Sequence, residues 1–160
     1  MRRILKLVVV CLAVSVGSSS VVFGDFNRGI AAYQLGDYET ALKEFRLAAK
    51  QGSSSAKFAL GLMYEDGKGV VQDYEEAVNW YRKAAEQGHA DAQFNLGTMY
   101  ELGQGVIQEN VRAYKWYNIA SANGNKSSTR NRDVIAKKMT AADITKAQKL
   151  AREWMKKHQK

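Results

Sequence analysis

Shifting the chain by 36 residues lays Ala56–Ala90 over Ala92–Lys126, and 16 of those 35 positions coincide. The coincident pairs include Leu60/Leu96, Gly61/Gly97, Met63/Met99, Tyr64/Tyr100, Glu65/Glu101, Trp80/Trp116, Tyr81/Tyr117 and Gly88/Gly124. A looser copy precedes them, in which Asp37-Tyr38, Ala41, Phe45, Ala48 and Gly52 stand 36 residues before Asp73-Tyr74, Ala77, Tyr81, Ala84 and Gly88. Self-similarity at this period leaves few architectures open. It belongs to stacked supersecondary units, none of which can bury its apolar face alone.

Within a unit the period is helical. Ala56, Leu60, Met63 and Tyr64 follow i, i+4, i+7, i+8 and mark one stripe on a first helix over about residues 54–65. Asp66-Gly67-Lys68-Gly69 breaks it, Asp73 is placed to cap a second helix, and Ala77, Trp80, Tyr81, Ala84 and Ala85 form that helix's stripe up to a stop at Gly88. Each unit is thus a helical hairpin. Gly61 falls inside the first helix, where glycine costs about 1 kcal/mol against alanine. Its presence predicts a tryptophan or tyrosine ring of the partner helix too close for a Cβ.

The pattern Leu60-Gly61-x-x-Tyr64-x-x-Gly67-x-Gly69-Val70-x-x-Asp73, then Ala77-x-x-Trp80-Tyr81-x-x-Ala84-Ala85-x-x-Gly88, resembles the Sel-1-like repeats, a branch of the tetratricopeptide-type solenoids. It recurs from Leu96 to Gly124, with Glu109-Asn110 in place of Asp73-Tyr74 and Ser121 for Ala85. The first copy is shorter: eight residues separate Gly29 from Asp37, where twelve separate Gly61 from Asp73. The resemblance implies an all-α, right-handed superhelical solenoid of antiparallel hairpins. Its expected parts are a cap repeat at 25–54, repeats at 55–90 and 91–126, and a helical cap at 127–160.

Residues 1–24 read as a signal peptide, with Arg2, Arg3 and Lys6 before an apolar run from Leu7 to Val16 and a small, polar stretch after it. The run is about half the roughly 20 residues a bilayer span needs, so the expected product is exported, periplasmic or secreted, and not an integral membrane protein. Cleavage after Gly24 would remove the one cysteine, Cys11, and leave packing alone to hold the fold.

The last quarter shows no further copy. Thr140-Ala141-Ala142-Asp143 has capping-box spacing and opens a helix with the stripe Ile144, Ala147, Ala151, Trp154 and Met155, while Val134, Ile135 and Met139 indicate a shorter helix before it. Charge is segregated. Residues 125–160 hold 11 basic and 3 acidic side chains, whereas residues 25–124 hold 10 and 13, so the overall +8 gathers in the cap. Lys137, Lys138, Lys146, Lys149 and Lys156 therefore form a candidate contact for an anionic envelope polymer, membrane surface or acidic protein, or simply the solvated side of two helices. With an exported chain and no recognition motif, nucleic acid is not an expected partner.

Catalytic groups are sparse. The two histidines, His89 and His158, have no partner at ligand spacing, Gly67-Lys68-Gly69 lacks the spacing of a phosphate loop, and Glu65, Asp66 and Asp73 lack that of a calcium loop. No cofactor, metal or catalytic residue is expected. Secreted cysteine-rich relatives of the family are associated with β-lactam binding or hydrolysis, but the cysteine pairs they carry within repeats are missing here. A protein or peptide partner is the expected ligand. In tetratricopeptide-type solenoids the first helices line the concave face, where Phe58, Leu62 and Glu65 in one unit match Phe94, Thr98 and Glu101 in the next. Phe26, Ile30 and Tyr33 hold those places in the cap, and Asn27 and Asn95 stand where related solenoids bond a peptide backbone. The alternative for the phenylalanines is that they belong to the core.

Overall fold

The computed structural model describes residues 18–158, the stretch from Ser18 to Asp25 by its backbone only. Most of the leader expected at 1–24 lies outside the described residues. Among the described residues eight helices follow one another: α1 (Ser18–Gln34), α2 (Tyr38–Lys50), α3 (Ser54–Asp66), α4 (Tyr74–Ala85), α5 (Ala90–Leu102), α6 (Asn110–Ala122), α7 (Lys126–Ala136) and α8 (Ala141–His158). There is no strand among the described residues, and no helix there is long and apolar enough to cross a membrane. The pairs α1/α2, α3/α4 and α5/α6 are the hairpins, and each second helix packs on the next first helix, giving the expected solenoid.

Helix starts follow the sequence signals. Asp37, Ser53 and Asp73 each accept a hydrogen bond from the amide three residues on, at 3.1, 3.2 and 3.0 Å. Glu109, standing where an aspartate is usual, makes no such bond, and α6 begins without a side-chain cap. The stripes then bury: Ala56, Leu60, Met63, Ala77, Tyr81, Ala84 and Ala85 are fully enclosed, as are Ala92, Leu96, Ala113, Tyr117 and Ala120. Alanine at so many contact points lets helices approach closely, and in each hairpin a fully enclosed ring, Phe45, Tyr81 or Tyr117, fills space between them.

That ring explains the glycine inside each first helix. A Cβ on Gly61 would collide with the Tyr81 ring, one on Gly97 would stand 2.8 Å from Tyr117, and one on Gly29 would stand 2.6 Å from Phe45. The ring predicted as tryptophan or tyrosine is tyrosine, with phenylalanine in the first hairpin. The tryptophans lie one position earlier, where the half-buried Trp80 carries Lys83 over its ring at 4.2 Å.

The glycine-rich turns also join one unit to another. A Cβ on Gly69 would lie 2.9 Å from the Tyr38 carbonyl oxygen, and one on Gly105 would strike the carbonyl of Tyr74. Each turn therefore rests on the start of the preceding unit's second helix, with Lys68 reaching across to donate to the Tyr33 hydroxyl at 2.8 Å.

Beyond Gly124 the 36-residue register continues in space, although identity has faded from the sequence. The starts of α3, α5 and α7, at Ser54, Ala90 and Lys126, are 36 residues apart. Asn125 caps α7 as Ser53 and His89 cap their helices, accepting from the Ser128 amide at 3.0 Å. Ser128 and Ile135 are buried where Ala92 and Met99 are buried one unit earlier. Helix α7 is thus the first helix of a fourth unit. Helix α8 leaves the register and crosses α6, burying Ala147 and Ala151 and setting Trp154 edge-on to Trp116 with ring centres 5.6 Å apart. Half of the expected box forms at its start: Thr140 Oγ1 accepts from the Asp143 amide at 3.1 Å, but Asp143 Oδ2 accepts from the Thr140 hydroxyl at 2.8 Å rather than from its backbone amide, because the aspartate is shorter than the usual glutamate.

Candidate functional site

Helices α3 and α5 carry the residues singled out for a partner. Phe58, Leu62, Glu65, Phe94, Asn95, Thr98 and Glu101 are all half-buried, each in contact with the core yet open on one side. Phe58 leans on Tyr81 at 5.8 Å between ring centres and Phe94 on Tyr117 at 5.7 Å, with interplanar angles of 38° and 42°. The same arrangement thus occurs twice, one unit apart.

Each buried tyrosine fixes a carboxylate. Tyr81 donates its hydroxyl hydrogen bond to Glu65 Oε2, and Tyr117 donates to Glu101 Oε2 at 2.7 Å. Burial pushes both hydroxyls above the ordinary phenol value, and the neighbouring glutamate adds to the shift; Tyr117 rises to about 12. Both therefore stay protonated donors in neutral solution. Asn95 places its amide beside the Tyr81 hydroxyl, and Thr98 Oγ1 lies 3.1 Å from that of Tyr117. The row is a hydrogen-bonded surface whose polar atoms are held by residues of the core.

The tyrosine–glutamate pairing was not read from the sequence, yet a signal for it exists. The first hairpin has Phe45 at the tyrosine position and Tyr33 at the glutamate position when Gly29 is aligned with Gly61. The hydroxyl is present only where a glutamate can receive it.

The five lysines singled out in the cap are exposed. Lys149 approaches Glu153 at 3.9 Å, and Lys138 approaches Glu101 at 3.9 Å, so the basic cap and the first-helix row meet at that carboxylate. Lys137, Lys146 and Lys156 have no carboxylate within ion-pair reach among the described residues. His89 is a structural cap: its Nδ1 accepts from the Ala92 amide at 3.3 Å and its ring stacks on Phe58 at 4.7 Å. No group of three or more metal-ligating side chains assembles among the described residues.

Comparison with known proteins agrees with the fold. Residues 28–53, 54–89 and 90–125 each match the Sel1 repeat. Over 57 residues the chain is 41% identical to an exopolysaccharide production negative regulator of Rhizobium leguminosarum bv. viciae, covering 36% of this chain and 21% of the regulator. A protective antigen present in uropathogenic Escherichia coli strains, which displays an SLR fold, superposes with a TM-score of 0.82 at 37% identity, over 86% of this chain and 30% of the antigen. A Sel1 repeat protein from Oxalobacter formigenes gives a TM-score of 0.65 at 34% identity, covering 72% of this chain and 91% of that one. The chain spans less than a third of both the regulator and the antigen. Proteins of this repeat class typically serve as protein-interaction scaffolds, and the Sel1 repeats at 54–89 and 90–125 are the hairpins that carry the tyrosine–glutamate row. This chain belongs to the Sel1 repeat family.

Proposed function

We propose that this chain is an exported adaptor that holds a peptide segment of a partner protein along the concave face formed by α1, α3 and α5. The observation that carries the reading is the twofold occurrence, one unit apart, of a half-buried phenylalanine beside a carboxylate held by a buried tyrosine. Phe58, Leu62 and Phe94 offer apolar anchor points, and Asn95 and Thr98 offer amide and hydroxyl groups to a peptide backbone. Glu65 and Glu101 favour basic side chains at matching intervals. Because the tyrosines fix the carboxylates beforehand, little ordering is left for the moment of binding. The basic amino-terminal stretch and apolar run at 1–24 are the basis for export.

A photo-crosslinking residue in place of Leu62 tests the groove, with the same residue in place of the exposed Glu75 on α4 as control. A partner peptide should be trapped at Leu62 and not at Glu75. Charge reversal at Glu65 and Glu101 together should reduce that yield while circular dichroism stays unchanged. Equal trapping at both places, or a yield indifferent to charge, defeats the reading.

A second reading is favoured by Lys137, just past α7, and by Lys146 and Lys156 on α8, which meet no carboxylate among the described residues: the cap docks on an anionic envelope polymer. Replacing Lys137, Lys146 and Lys156 by glutamine should then abolish sedimentation with that polymer and leave crosslinking at Leu62 intact.

A further inference from the structure

The loop edge of the third hairpin carries a cleft of about 290 Å³, lined by Arg82, Tyr100, Val106, Ile107, Glu109 and Arg112. Two guanidiniums line it. Arg112 Nη1 donates to the Tyr100 hydroxyl at 3.3 Å, and Arg82 lines the same cleft from the preceding unit. One carboxylate is present to balance them, that of Glu109, which Arg112 Nε engages at 2.6 Å. Arg82 makes no ion pair among the described residues and has only a long contact of 3.5 Å to Asn79. Ile107 stands at the lip with 90% of its surface exposed, on a turn fixed by the hydrogen bond from Gln108 Nε2 to the Glu101 carbonyl at 2.7 Å. A large aliphatic side chain this exposed contributes nothing to this fold's core.

Comparison of the two full repeats isolates what is particular to this place. Arg82, Tyr100 and Ile107 have counterparts 36 residues earlier in Arg46, Tyr64 and Val71, where Arg46 donates to the Tyr64 hydroxyl at 3.0 Å. Arg112 breaks the pattern, because its counterpart is Glu76. The hairpin forms equally well with glutamate at that position, so the second guanidinium is not required to build it.

We infer that the cleft beside Tyr100 binds the carboxy-terminal residue of a peptide, with the terminal carboxylate between Arg82 and Arg112 and an aliphatic side chain against Val106 and Ile107. Guanidinium groups suit a carboxylate through paired, charge-assisted hydrogen bonds. A terminal residue carries its carboxylate and its side chain on one Cα, which matches a charged floor directly beside an apolar wall. An internal aspartate or glutamate holds its carboxylate further out and would leave the wall uncovered. The site is separate from the row of glutamates on the first helices and would take a partner of opposite charge.

The test is an NMR titration of the protein with acetyl-Gly-Ala-Leu-Val carrying a free carboxylate. Chemical-shift changes should gather at Tyr100, Ile107 and Arg112. Amidation of the peptide's terminus should weaken binding about ten-fold or more, as loss of a charge-assisted pair implies. Arg112→Glu, which installs the preceding repeat's own residue, should do the same with thermal unfolding unchanged, and Arg82→Gln serves as a second variant should that one misfold. Arg46→Gln should have no effect. Equal binding of the amidated peptide, equal binding of an amidated peptide with an internal glutamate, or shifts confined to Phe58 and Phe94 would overturn the assignment.

Discussion

The ring of Tyr117 occupies the space that the Cβ of any residue other than glycine at position 97 would need. Two of its carbons lie 2.8 Å from that point and the Ala113 carbonyl oxygen lies 3.3 Å from it. Tyr117 is fully enclosed and its hydroxyl is committed to Glu101, so the ring has little freedom to retreat. Helix propensity favours Gly97→Ala by about 1 kcal/mol, while overpacking a tight core costs about 1 to 3 kcal/mol. The clash wins. Gly97→Ala should lower stability by about 1 kcal/mol or more in urea denaturation, and a gain in stability would show that the hairpin does not need this approach.

The turn glycines separate two kinds of constraint. Gly88 and Gly105 both have positive φ, 87° and 66°. A Cβ on Gly88 meets nothing within 4 Å, whereas one on Gly105 strikes the backbone of Tyr74 in the preceding unit. Gly88→Ala should therefore show the backbone term alone, about 1 to 2 kcal/mol. Gly105→Ala should be clearly worse, because a carbonyl cannot turn aside as a side chain can. Thermal unfolding of the two variants side by side checks this, and equal losses would mean that the turn can lift off the preceding unit without penalty.

Much of the solenoid was legible because the repeat states its own boundaries. Gly61 announced an aromatic ring, Asp73 a helix start, and Thr140 with Asp143 the start of α8. What stayed hidden depended on contacts between units, which spacing within one unit cannot show. The seat of Gly105 on Tyr74 is of this kind, as is the approach of Lys138 to Glu101. Helix α7 was concealed differently: its place in the register rests on Asn125, Ser128 and Ile135, which keep the cap and the burial of their counterparts while changing identity. In the candidate groove the phenylalanines were neither plain core nor plain surface, since a ring leaning on Tyr81 or Tyr117 is in part both.

The raised hydroxyls make stability depend on alkaline pH. Tyr117 titrates at about 12 when folded and near 10 when unfolded, because burial and then the Glu101 carboxylate disfavour its anion. An acid raised in this way contributes fully below pH 10, where both states hold the proton. The contribution is lost between about pH 10 and 12, where the unfolded chain has released it and the folded chain has not. Urea midpoints should therefore fall over that range, and Tyr117→Phe should flatten the fall relative to the parent protein. An unchanged slope would show that the hydroxyl is not held as described.

His89 sets the corresponding limit on the acid side. Its Nδ1 must be unprotonated to accept from the Ala92 amide, and its ring lies half-buried against Phe58. Burial holds its pKa below the ordinary histidine value despite the opposing pull of Asp91. A base depressed in the folded state contributes stability above its unfolded pKa of about 6.5, and that contribution is lost as pH falls through 6.5 toward the folded value. The preceding and following units solve the same capping problem with Ser53 and Asn125, which do not titrate. His89→Asn should thus keep the helix start while reducing the loss of stability between pH 7 and 5. His89→Ala should cost about 1 kcal/mol at pH 7 through the missing cap. If His89→Asn remains as acid-sensitive as the parent, the titration that matters lies elsewhere and the cap has no part in it.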